Sequence, residues 1–135
     1  MILLGAGSTL HAGEAEVKIL AEVDFFACGG IGFGGTTSAG ETAFKKIYAE
    51  KNNLEQFVVV YGRGTNAARM YALVAFYKLN RPLYDHLKTH YEKSELEVTM
   101  MMGCDRYSQN VGSLISLLEK GSYESLSAVE AKNTR

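Results

Sequence analysis

What this chain most plainly lacks is an excess of charge of either sign: 14 lysines and arginines stand against 15 aspartates and glutamates, a formal net charge of −1. So balanced a surface sets up no long-range field toward polyanions, which disfavours nucleic acid and anionic membranes as partners. No apolar run approaches the roughly 20 residues that a spanning helix needs, so the chain is not expected to cross a membrane. Cysteine is scarce. Cys28 and Cys104 stand far apart with no Cys-x-x-Cys and no histidine beside either, which excludes a zinc pattern built on them. The pair reads either as one disulfide in an exported protein or as two small reduced side chains.

Catalytic signatures are equally sparse. There is no Gly-x-Ser-x-Gly elbow, and no lysine follows the glycine run to make a P-loop. Asp105 beside Cys104 disfavours a thiolate. The pairs Glu14 and Glu16, and Glu95 and Glu97, read as solvated faces. The sequence leans away from an enzyme, and no cofactor is expected.

What is present fits one folded domain. Apolar residues make up 47% and charged residues 21% of 135 positions, enough to bury an ordinary core without staples. The domain is placed at 13–127. Residues 128–135 hold one valine and no aromatic and are expected to fray. Residues 1–12 are apolar and small and end in Leu10-His11-Ala12, like the back half of a secretory signal without its basic n-region. They are read as a signal remnant or as a native lead.

Six of the fourteen glycines crowd between Cys28 and Glu41. Gly30-x-Gly32-x-x-Gly35 matches a dinucleotide fingerprint in form, but the strand and the parallel sheet that give that motif meaning are missing. Two readings stay open. Backbone amides and hydroxyls at Gly34, Gly35, Thr36, Thr37 and Ser38 could receive an anion, or the glycines could form a sharply turned connector. Ser38-Ala39-Gly40-Glu41 is a capping box that should start a helix carrying Ala43, Phe44, Ile47 and Tyr48.

Helical periodicity continues. A helix is favoured between Glu14 and Phe26; another follows with Leu54, Phe57, Val58 and Tyr61, capped by Asn53. Thr65 should cap a helix facing inward through Ala68, Tyr71, Ala72, Ala75 and Leu79, and Pro82 suits the first turn of the next, with Leu83, Leu87 and Tyr91. Val98 to Cys104 reads as a buried turn or helix end. Ser108 or Asn110 should start a last helix with Val111, Leu114, Ile115 and Leu118, closed at Lys120-Gly121. Ala43-Phe44, Ile47-Tyr48 and Leu54 recur twenty-nine positions later as Ala72-Leu73, Phe76-Tyr77 and Leu83. The expected class is therefore all-α: HEAT-like stacked α-hairpins or a compact α-bundle, with a glycine-rich loop between the first helices.

His86 and His90 share a helix face at i, i+4, the spacing of a metal pair, yet they border an apolar stripe and read as solvated side chains. Tyr61, Tyr84 and Tyr91 are the best candidates for contact with a protein partner. Three pieces together, Phe26-Ala27-Cys28-Gly29-Gly30 through Glu41-x-Ala43-Phe44, Gly64-Thr65-x-Ala67-x-x-Met70-Tyr71-Ala72-Leu73, and Val98-Thr99-Met100-x-x-Gly103-Cys104, resemble an uncharacterised group of small, often exported bacterial proteins. The resemblance implies an envelope location and no catalytic residues; a cytoplasmic location is the alternative. The functional expectation is a non-catalytic protein that binds another, as yet unidentified, protein, in the manner of an inhibitor or immunity factor. Its alternative is an anion-binding or hydrolytic protein using the loop at 29–38.

Overall fold

The computed structural model describes residues 12–127. The lead and tail read from the sequence lie outside the described residues, save for Ala12, which opens the first helix. The elements in order are α1 (Ala12–Ala21), β1 (Gly30–Ile31), β2 (Thr36–Thr37), α2 (Ala39–Tyr48), α3 (Asn53–Arg63), α4 (Asn66–Leu79), α5 (Arg81–Lys88), β3 (Glu97–Met102), β4 (Asp105–Asn110), α6 (Val111–Glu119) and α7 (Glu124–Ser127).

Two antiparallel hairpins correct the all-α expectation: 57% of the described residues are helical and 16% lie in the hairpins. The segment read as a buried turn or helix end is strand β3, paired with β4 from Glu97↔Asn110 to Met102↔Asp105. Val98 and Met100 alternate inward, and Gly103 takes φ +57° at the first position of a two-residue loop, where primed hairpin turns call for glycine. Three consecutive methionines hide that alternation, because a period of two needs a polar residue in every second place.

Helix α4 is the centre of the core. Every residue from Met70 to Phe76 is buried, as a helix apolar on all sides requires. It packs against α1, α2, α3, α5, α7 and β3. A stacked array would let each hairpin touch only its neighbours, so the twenty-nine-residue recurrence marks two helix pairs with similar burial and no solenoid. Ala43, Phe44 and Ile47 are buried in the first pair as Ala72, Leu73 and Phe76 are in the second.

Side-chain caps fix four helix starts. Ser38 accepts from the Glu41 amide (3.1 Å), Thr65 from Ala68 (3.1 Å), Asn80 from Leu83 (3.1 Å) and Asn110 from Gly112 (2.7 Å). Asn53 does not cap: Asn52 holds that position, and Asn53 Nδ2 donates to the Tyr48 carbonyl at 2.9 Å. Val58 points to solvent, its expected place in the buried face of α3 being filled by Val60. Among the described residues no helix is long and apolar enough to cross a membrane.

Candidate functional site

The glycine run is a β-hairpin. Strands β1 and β2 pair through Gly30↔Thr37 and Ile31↔Thr36, and the intervening turn carries Gly32 at φ +73° and Gly35 at φ +66°, conformations closed to most side chains. This hairpin is bonded to the second one. The Phe26 amide donates to the Thr99 carbonyl (2.8 Å), the Met101 amide to the Phe26 carbonyl (3.1 Å) and the Gly32 amide to the Gly103 carbonyl (2.8 Å). The two tips consequently sit side by side.

Two side chains lock the base of the hairpin. The Tyr71 hydroxyl donates to the Ala27 carbonyl (2.8 Å) and accepts from the Ala27 amide (3.0 Å), and burial pushes the phenol up to about 12. Glu41 completes only half of its capping box. Its buried carboxylate turns away from the Ser38 amide and accepts from the Gly29 amide at 2.8 Å, while Lys45 pairs with its other oxygen at 3.1 Å.

These bonds bear on an anion at the loop. Ser38 is buried with its oxygen committed to the helix cap, the Gly35 amide donates to the Gly32 carbonyl (3.2 Å), and the amides of Gly29 and Gly32 are engaged as above. Gly34, Thr36 and Thr37 are exposed. An anion at this loop would find the Gly29, Gly32 and Gly35 amides and the Ser38 oxygen already bonded, which leaves it the exposed Gly34, Thr36 and Thr37. A surface depression of about 180 Å³ lies between α1 and α2, lined by Ile19, Thr42 and Lys46, and no residue of the hairpin borders it.

The joined tips present apolar side chains to water. Phe33 is fully exposed at the turn of the first hairpin, and Met102, beside Gly103, is 68% exposed at the turn of the second. Sequence reading passed over both. A phenylalanine flanked by glycines was the available signal, because a glycine turn has no neighbouring side chains with which to bury a ring.

The remaining candidates fall elsewhere. Tyr84 is the buried residue of α5, and its hydroxyl donates to Glu119 Oε2 (2.7 Å), the oxygen that also accepts from Lys88 Nζ (2.7 Å). Tyr91 is buried and shares a 2.6 Å hydrogen bond with the half-buried Tyr61. Burial first, then these bonds, push the Tyr61 and Tyr84 phenols well above their ordinary range. Tyr84 and Tyr91 are therefore core residues and present no ring to a partner. His86 and His90 are exposed with ring centroids 5.6 Å apart, and no group of three or more metal-binding side chains occurs among the described residues.

Lys88 and then Tyr84 hold the Glu119 carboxyl below its ordinary range. A depressed carboxyl contributes stability above its unfolded pKa, and that contribution is lost as pH falls through the folded value. Melting curves of Glu119→Gln against pH should accordingly show a shallower acid limb than wild type below about pH 4.

Cys28 and Cys104 are both free thiols, which corrects the disulfide reading. Cys28 Sγ lies 3.2 Å from Ser125 Oγ, and burial raises its pKa, whereas Cys104 is exposed. The melting temperature should be the same with and without reductant, and a maleimide should label Cys104 well before Cys28.

The three sequence pieces singled out above meet here: Tyr71 from the second clamps Ala27 of the first, and Thr99, Met101 and Gly103 of the third bond to Phe26 and Gly32. Much of the pattern is thus the joint between the hairpins and α4. Comparison with protein-family models, with curated proteins and with solved structures finds no match for this chain.

Proposed function

We propose that this is a non-catalytic binding protein of the bacterial envelope that engages a protein partner through its two joined hairpin tips. The observation that carries the reading is Phe33, fully exposed on one of two turns that a Gly32–Gly103 hydrogen bond joins, with Met102 exposed at the other. An aromatic ring held in water on a bonded scaffold loses little conformational freedom when it docks, which suits an anchor residue. The resemblance to small, often exported proteins supports the envelope, and an inhibitor or immunity role fits a binding surface without a catalytic set.

The test is affinity capture from envelope extract of the source cells, with wild type and the Phe33→Ser/Met102→Ser double variant as parallel baits. One protein should be retained by wild type and lost with the variant, and the purified pair should bind with the same dependence on Phe33. Equal recovery by both baits, or no recovery by either, would refute the reading.

A further inference from the structure

His86 lies in the last turn of α5 and His90 just beyond it, and the backbone between them is held. Thr89 keeps helical dihedrals (φ −62°, ψ −25°), its hydroxyl donates to the His86 carbonyl (2.7 Å), and the His90 amide donates to the Leu87 carbonyl (3.0 Å). The next residue, Tyr91, is buried and bonded to Tyr61, so the turn that carries His90 is anchored in the core. The two exposed imidazoles are thereby kept as neighbours, with ring centroids 5.6 Å apart. Two histidine nitrogens at about 2.1 Å from one tetrahedral ion put their ring centroids about 5 Å apart, so a small rotation about the side-chain torsions brings these rings onto a shared ion.

Nothing else claims the ring nitrogens. Apart from their contact with each other, the two rings have no hydrogen-bond or ion-pair partner among the described residues. Lys88 gives its charge to Glu119 (2.7 Å), and the other charged residues beside the pair in the chain, Asp85, Glu92 and Lys93, are exposed and sum to one negative charge. No net positive charge stands against a dication. We propose that His86 and His90 chelate one divalent transition-metal ion of the class that favours imidazole, Ni²⁺, Cu²⁺ or Zn²⁺, with its remaining positions open to water or to donors from another molecule. Neither ring has a carboxylate or carbonyl on its other nitrogen to fix it, so the ion is held more loosely than at a site of three or four oriented ligands. The pair belongs to α5 and its binding does not depend on the hairpin tips.

Isothermal titration calorimetry of the full chain, free of any affinity tag, with Ni²⁺ tests this, and far-UV circular dichroism confirms that the surface variants His86→Ala and His90→Ala are folded. Wild type should take up one ion per chain. Either variant should weaken that binding about tenfold or more, because an imidazole held beside a second one meets the bound ion at a high effective concentration. Two imidazoles acting independently would leave each single variant with the wild-type affinity, which overturns the proposal. So does a wild type that takes up no Ni²⁺ at about 1 mM, or one that takes up Mg²⁺ as strongly as Ni²⁺, which would assign the ion to carboxylates.

Discussion

Replacing Tyr71 by phenylalanine is expected to destabilise the protein by about 2–5 kcal/mol, far more than the loss of one hydroxyl at a surface. Tyr71 is fully buried, and its hydroxyl is the partner of both the amide and the carbonyl of Ala27, itself buried. Phenylalanine keeps the ring contacts with Phe26 and Phe44 but leaves two backbone groups without partners in a site closed to water. The loss should be read by urea unfolding at neutral pH. Because Ala27 anchors the strand-like segment that joins the two hairpins, near-ultraviolet signals from the aromatic cluster should change as well. A Tyr71→Phe variant within about 0.5 kcal/mol of wild type would mean that Ala27 is solvated in solution.

A second large effect is expected at Gly64, between α3 and α4. A Cβ there would lie 2.6 Å from the Cβ of Ala68 and against the Val60 carbonyl. Val60 and Ala68 are buried on helices that pack directly together, so neither can yield without moving a helix. Gly64→Ala should accordingly cost about 2–3 kcal/mol. The next residue magnifies the consequence: Thr65 donates its amide to the Ala21 carbonyl (3.1 Å) and its hydroxyl to the Val23 carbonyl (2.5 Å), which ties α1 to the start of α4. Gly62 is the internal control. It lies within α3 with open space where a Cβ would go, so Gly62→Ala should raise stability by about 0.5–1 kcal/mol. Matching gains at the two positions would show that backbone entropy, and not the contact at Gly64, governs this junction.

The helices were legible because their signals are local. Thr65, Ser38 and Asn110 cap where short polar residues precede apolar periodicity, and Val111, Leu114, Ile115 and Leu118 bury the face that their spacing describes. The hairpins were not legible, for two physical reasons. In β3 the residues Met100-Met101-Met102 are chemically alike although Met100 is buried and Met101 only partly so, which cuts the alternation of Glu97-Val98-Thr99-Met100 short in the sequence. The strands β1 and β2 are two residues long, and β1 is held to Gly103 of the other hairpin, a position that propensity cannot see.

Glu41 shows the same limit at the level of one side chain. The capping box was readable, yet the carboxylate left the Ser38 amide for Gly29 because the hairpin brings that amide into reach. For the site, the sequence pointed to the glycine segment but to its hydroxyl end. The exposed feature is the phenylalanine inside it, and Met102, at the joined turn, arrives from a hairpin seventy residues away in the chain.

Amide hydrogen exchange at Gly29 and Gly32, resolved by NMR, is the most direct measurement of whether this glycine segment is a bonded hairpin or an open anion cradle. Both amides should exchange slowly, Gly29 held by Glu41 and Gly32 by Gly103, with Glu41→Ala releasing Gly29 alone, and phosphate or nucleotide should change neither rate. Rates at both positions equal to those of an unstructured chain, slowing when phosphate is added, would contradict the hairpin and restore the loop as a binding site.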